Sequence, residues 1–254
     1  MSHVVAIANQ KGGVGKTTTS INLGASLVNQ GKKTLIVDID PQGNTTSGLG
    51  INKAEVNQCI YDVLINEALM QEVVLHTSME GLDVIPATIA LAGAEIELVN
   101  TLSRELRLKR ALQKIREEYD YILIDCPPSL GVLTINSLTA ADAVLIPIQC
   151  EFYALEGLGQ LLNTVRIVQK HLNKRLEIEG VLLTMFDGRT NLSVQVMDEV
   201  KKYFQQKVYQ TVIPRNVRLS EAPSHGKPIL SYDARSKGAE CYVALAKEVM
   251  GNGQ

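Results

Sequence analysis

One stretch, Lys11-Gly12-Gly13-Val14-Gly15-Lys16-Thr17-Thr18, restricts what this chain can fold into more than any other. The apolar run from His3 to Ala8 precedes it and reads as a buried strand. After it, Ile21, Leu23, Gly24, Leu27 and Val28 recur at helical spacing and predict a helix over residues 17–30. A strand, a glycine-rich turn and a helix in that order make a phosphate cradle. Glycines let backbone N–H groups curl around an oxyanion, and the helix N-terminus adds partial positive charge. In such a cradle Lys16 reaches the β/γ-phosphates and the Thr17 hydroxyl ligates Mg²⁺.

The spacing departs from the common pattern. The motif G-x-x-x-x-G-K-[ST] asks for glycine where Gln10 stands, and a second lysine, Lys11, opens the loop. Two lysines this close repel one another unless an anion lies nearby. Lys11 is therefore either another phosphate ligand or a solvent-facing charge.

Strands and helices alternate along the rest of the chain. Apolar runs at 34–38, 82–85, 121–125, 143–148, 178–184 and 208–213 read as strands. Helical periodicity covers 60–65, 90–99, 104–118, 133–141, 154–171, 192–204 and 237–250. This alternation predicts right-handed crossovers and an α/β fold, a doubly wound, mostly parallel sheet with helices on both faces. With no Trp and 4% aromatics the core must be aliphatic, which suits such a sheet. No linker, repeat or low-complexity tract interrupts 1–254, which reads as one domain.

Composition excludes some classes. The net charge of −2 is not that of a strongly basic nucleic-acid binder. The charge is uneven, however: residues 1–100 carry 5 Lys/Arg against 10 Asp/Glu, and residues 101–254 carry 20 against 17. Cys59, Cys126, Cys150 and Cys241 form no C-x-x-C pair, so zinc and redox motifs are not expected. No leader-like or membrane-spanning run appears, and the expected compartment is the cytoplasm.

Nucleotide hydrolysis needs carboxylates beside the loop. Asp125 ends the apolar strand YILID, the layout of a metal-facing acid at the sheet's C-terminal edge. Asp38 and Asp40 end the second strand, and alternation puts them on one side of an extended chain. One would serve the metal shell and the other the attacking water. Asp40 is the better candidate, because it opens a polar loop. Pro127 and Pro128 then fix the chain after Asp125, as a switch arm or as a plain strand terminator.

The segments KGGVGKTT, VDIDPQGN, ILIDCPPSLG and IPRNVRLSEAPSHGKP together resemble the ParA/Soj class of partitioning ATPases, a branch of the deviant-Walker phosphate-loop proteins. The likeness spans nearly the whole chain and is closest to the short chromosomal type, since no helix-turn-helix segment precedes the loop. It implies roles residue by residue. Lys11 matches the signature lysine that reaches a dimer partner's ATP. Gly12, Gly13, Val14, Gly15 and Thr18 belong to the phosphate loop, Lys16 is its lysine and Thr17 its Mg²⁺ ligand. Asp40 matches the aspartate needed for hydrolysis and placed in the metal shell, and Asp125 the Walker-B acid. Pro214 and Asn216 match positions that contact adenine. The resemblance further implies ATP and Mg²⁺ as cofactors, weak basal ATP hydrolysis and an ATP-bound sandwich homodimer. It implies DNA binding without sequence preference, a ParB/Spo0J-type partner that stimulates hydrolysis, and a nucleoid-associated, cytoplasmic location. Some chromosomal members also act on a replication initiator.

Sequence-blind DNA binding rests on Lys and Arg contacts to phosphates. Candidates are Arg189, Lys201, Lys202, Arg215 and Arg218, with Arg189 and Arg218 favoured by their loop-like settings. Two rivals use the same scaffold. A MinD-like membrane-associated division ATPase needs a basic amphipathic C-terminal helix, and the segment from Ala246 to Gln254 has one basic residue and no aromatic. A cluster carrier would need bridging thiols, and Cys126 and Cys150 lack a paired motif.

Overall fold

Alternating apolar residues on the strands divide the core into two layers. In the computed structural model, which describes residues 2–151 and 158–252, Val4, Ala6, Leu35, Val37, Ile122 and Ile124 face one layer. Val5, Ile7, Ile36 and Leu123 face the other. The seven strands are β1 (His3–Ile7), β2 (Thr34–Asp38), β3 (Leu75–His76), β4 (Leu82–Ile85), β5 (Tyr121–Asp125), β6 (Ala143–Gln149) and β7 (Glu177–Thr184). They form one sheet in the order β3-β4-β2-β5-β1-β6-β7. Every pairing is parallel except β3 with β4.

Helices cover both faces, as the alternation predicts. The layer with Ile7 and Ile36 receives α1 (Lys16–Asn29) and α12 (Lys237–Asn252), tied together where Thr19 Oγ1 meets the Tyr242 hydroxyl at 3.2 Å. Between them in sequence run the short helices α2 (Asn44–Gly48), α3 (Ile60–Leu64) and α4 (Met70–Val73). The opposite layer receives α5 (Leu91–Glu97), α6 (Arg107–Leu112), α7 (Val132–Ala140), α8 (Leu158–His171) and α9 (Asn191–Phe204). Two further short helices, α10 (Val217–Glu221) and α11 (Ile229–Tyr232), lead back to α12. The helices after β1 and β5 thus leave on opposite faces of neighbouring strands. A crevice opens at the C-terminal ends of such strands, the usual ligand position in an open α/β sheet.

Three expectations need correction. The run 208–213 forms no continuous strand: beside β7 it makes one isolated bridge, Val181–Val208, and two amide bonds, Tyr209 to the Val181 carbonyl at 3.0 Å and Ile213 to the Leu183 carbonyl at 2.9 Å. Its Gln210 and Thr211 amides donate instead to the Glu248 carboxylate on α12, both at 2.8 Å, so the ladder cannot continue. The predicted helix 104–118 breaks into α6 flanked by tight turns at Arg104–Leu106 and Arg116–Glu118. Asn136 causes the upper break, because it donates to the Arg104 carbonyl and accepts from the Leu108 amide. The edge strand β3 was not predicted; two residues carry no readable alternation. The predicted start of α8, at 154–157, lies outside the described residues.

Candidate phosphate-binding site

The loop after β1 takes its shape from positive backbone angles. Gly13 has φ +74° and Gly15 φ +89°, where a Cβ would be strained. Gly15 also precedes α1 directly, so its left-handed turn aims the first helical N–H groups at the loop's hollow. Asn9 anchors the entry: its Nδ2 donates to the Pro147 carbonyl at 2.7 Å and its Oδ1 accepts from the Lys11 amide at 2.9 Å.

Lys16 is 7% exposed, and its Nζ donates to the Lys11 carbonyl at 3.1 Å. Burial pushes its ammonium below the usual range, and the charges of Asp125 and Asp40 oppose that shift. A buried lysine with a single carbonyl partner keeps donor capacity for an anion. The Lys11 side chain is half-buried and makes no ion pair among the described residues.

Strand register places two carboxylates side by side. Asp38 on β2 pairs with Asp125 on β5, and alternation turns both toward α1. Asp125 is fully buried and receives three hydroxyls: Thr17 Oγ1 and Thr45 Oγ1 donate to its Oδ2 at 2.8 and 2.7 Å, and Ser20 Oγ donates to its Oδ1 at 3.0 Å. Asp38 is also fully buried and accepts from the Thr46 amide and hydroxyl at 2.8 and 2.7 Å. Desolvation raises both pKa values. The charge of Asp125 pushes Asp38 up further, while the hydroxyl donors on Asp125 pull its value back. The Asp40 amide donates to Asp38 Oδ1 at 3.2 Å, but the Asp40 carboxylate lies outside this web. It lines the phosphate cavity, and its Oδ1 accepts from the Gln42 amide at 2.9 Å.

The space around these groups has two joined parts. A cavity of about 390 Å³ is lined by Gly12, Gly13, Lys16, Thr17, Asp40 and Pro128, among others. A cleft of about 510 Å³ continues from it and is lined by Ile213, Pro214, Asn216, Pro223 and Tyr242, among others. Gly15, Thr18 and Met185 border both. Val14 is buried below the loop, where its carbonyl accepts from Thr184 Oγ1 at 2.8 Å. The chain thus brings the loop, Asp40, Pro214 and Asn216 around one continuous hollow, with Asp125 directly behind Thr17. The side-chain oxygen of Asn216 is already engaged, since it caps α10.

The sequence reading missed Ser20, Thr45 and Thr46, which hold the two buried acids. Nothing in the spacing of Gly43-Asn44-Thr45-Thr46 marks them. Their role follows from α2 folding back over the ends of β2 and β5.

Of the basic candidates, Arg215 lines the larger cleft, while the other four line neither part of the hollow. Arg189 forms a fork with Asp187, Nε to Oδ1 at 2.8 Å and Nη2 to Oδ2 at 2.7 Å, which holds that carboxyl down at about 2. Arg218 pairs with Glu221 at 2.9 Å, and Arg215 with Glu151 at 2.6 Å. Lys201 and Lys202 are exposed in the last turn of α9. Exposed pairs of this kind are weak, because water screens both charges. Cys126 and Cys150 are buried, which pushes their thiols up to about 12 and about 11. Neither offers a surface thiolate.

Residues 2–178 match the family model described as an AAA domain. The sporulation initiation inhibitor protein Soj of Bacillus subtilis is 71% identical over 253 residues, covering 100% of both chains. The chromosome partitioning protein ParA of Myxococcus xanthus is 56% identical, covering 98% of this chain and 88% of its own. Among solved structures, cobyrinic acid a,c-diamide synthase of Mycobacterium smegmatis with bound ADP and magnesium superposes with a TM-score of 0.86. It is 41% identical and covers 97% of this chain and 93% of its own.

Proposed function

This chain belongs to the ParA/Soj family of chromosome-partitioning ATPases, and from that premise we propose that it is an ATP-driven switch for positioning chromosome origins. The observation that carries this reading is the continuous hollow: a glycine-turned phosphate cavity joined to a base-sized cleft, with a buried lysine and Asp40 at the phosphate end.

The residues present fit ATP and Mg²⁺. Backbone amides of Gly12, Gly13, Val14, Gly15 and Thr18 frame the phosphates, and Lys16 neutralises them. The Thr17 proton is committed to Asp125, which leaves the hydroxyl's lone pairs free for the cation. With Mg²⁺ bound, Asp125 would act on it through Thr17, and Asp40 would face the metal shell from the cavity wall. Bound Mg²⁺ supplies charge neutralisation of the β/γ-phosphates. Pro214 and Asn216 form the wall against the adenine. Asp40, with one oxygen held by the Gln42 amide, orients the attacking water with the other.

Lys11 precedes the loop glycines that line this hollow, and it makes no ion pair among the described residues. In this reading it reaches the triphosphate of a second copy, and ATP closes a sandwich homodimer because it binds that state better than the monomer. The dimer doubles a weak basic surface and binds DNA without sequence preference through Arg189 and Arg218. A ParB/Spo0J-type partner stimulates hydrolysis and releases the dimer. Among the described residues no helix is long and apolar enough to cross a membrane.

Size analysis with ATP, ADP and no nucleotide, each with and without nonspecific DNA, tests the reading. A dimer only with ATP, retained on DNA, is expected; a monomer in all conditions overturns it. Arg189→Glu is expected to leave the dimer intact, weaken DNA retention and lower the salt slope by about one. Unchanged retention at low and high salt removes Arg189 from the DNA surface.

A further inference from the structure

The stretch from Arg104 to Arg116 carries six cations and one acid, in a chain whose net charge is −2. Its apolar side is spent on the core, where Leu108, Leu112 and Ile115 are buried. Three of the cations have ion-pair partners: Arg104 with Glu105, Arg107 with Glu67 and Arg116 with Asp142. Lys109, Arg110 and Lys114 make no ion pair among the described residues.

Arg107, Arg110 and Lys114 follow one another at helical spacing and form one wall of a groove of about 300 Å³. The turn between α3 and α4 forms the other, through Glu67, Ala68 and Leu69. Val63 and Met70 are buried at its floor, and Ala111 is half-buried there. Leu69 is 43% exposed, apolar surface left to water. Gln71 Nε2 donates to the Lys114 carbonyl at 3.2 Å, which ties the two walls together at one end. None of the groove's residues lines either part of the nucleotide hollow.

Glu67 shows which chemistry this wall accepts. Its Oε1 takes the Arg107 Nη1 donor at 2.7 Å, while its side chain stays 75% exposed. It answers one cation of the three, so the groove keeps a surplus of two positive charges over an apolar floor. We propose that the groove docks an acidic segment of a partner protein. Such a segment sets carboxylates on Arg110 and Lys114 and an apolar side chain against Ala68, Leu69 and Ala111. The arginine offers a planar fork to a carboxylate and the lysine a point charge, and the apolar floor fixes the segment's register. Nucleic acid suits the groove less well: no aromatic side chain lines it for a base to stack on, and phosphates gain nothing from its apolar floor. The inference stands apart from the nucleotide reading, because the two sites share no residue.

The test is fluorescence anisotropy of the full chain with labelled short peptides of equal length, built of Glu and Leu, of Glu and Ser, or of Lys and Leu. Wild type is expected to bind the Glu/Leu peptide most tightly, and more weakly as salt rises. Arg110→Glu combined with Lys114→Glu, and separately Leu69→Asp, should each weaken that binding about tenfold or more. Lys170→Glu, on the exposed side of α8, should leave it at the wild-type value. Leu69, Arg110 and Lys114 are all exposed, and thermal unfolding with nucleotide binding at wild-type values establishes that each variant folds. A Glu/Leu peptide that binds no better than the Lys/Leu peptide, or that binds the groove variants like wild type, overturns the inference. So does a charge-reversed variant that keeps peptide binding but loses DNA retention or self-association, since the groove then serves nucleic acid or a second copy.

Discussion

Lys16→Ala is expected to cut the stabilisation that ATP confers to about 0.9 kcal/mol or less. Wild-type protein with ATP at a hundred times its Kd gains about 2.7 kcal/mol of stability. In the variant the phosphates lose a desolvated cationic partner, a loss of about 2–5 kcal/mol and therefore of about 30-fold or more in affinity. The reason lies in the burial of Lys16. Its ammonium is 7% exposed, with one carbonyl acceptor from Lys11, so bound phosphates are the group that repays its desolvation. The same burial predicts a second result: the ligand-free variant should unfold at the wild-type temperature or above it, because it no longer buries a charge. Thermal unfolding with and without ATP and Mg²⁺ checks both parts. An ATP-induced shift of wild-type size in the variant removes Lys16 from the site.

Asp40→Ala is expected to separate binding from turnover. ATP hydrolysis should fall by about 100-fold or more, the scale for losing a positioned base. ATP binding and dimer formation should remain, so the dimer accumulates on DNA. The prediction is specific to Asp40 because the other two acids are structural in their contacts. Asp38 is enclosed by Thr46, and Asp125 by Thr17, Ser20 and Thr45. Only Asp40 combines a place in the cavity lining with an oxygen not held by a protein donor. Single-turnover hydrolysis together with size analysis on DNA provides the readout. A variant that runs as a monomer with ATP and Mg²⁺ contradicts the dimer trap, and one with unchanged turnover contradicts the hydrolytic role.

The site's legibility followed the range of the interactions. The loop, its strand and its helix are contiguous, and glycine at positive φ can be anticipated from the residue type alone. Asp125 could be found because a carboxylate ending an apolar strand has few other uses. The hydroxyls of Ser20, Thr45 and Thr46 could not be found, since threonine and serine are ordinary on helices and only proximity makes them ligands. Arginine spacing names Arg189, Arg215 and Arg218 as candidate phosphate contacts, and only the fold reveals that each has a carboxylate beside it. The failed strand at 208–213 is the same lesson: its residues suit a strand, but Glu248, far along the chain, takes two of its amide donors.

Residue type and spacing alone determined the phosphate loop with its surplus Lys11, the parallel aliphatic sheet and the acid at the end of β5. These depend on local backbone geometry and on which atoms avoid water, and both are written in the order of residues. Tertiary structure decided which acid faces the cavity and what encloses the other two. Those outcomes depend on contacts between segments distant in sequence, where register and packing set which groups meet.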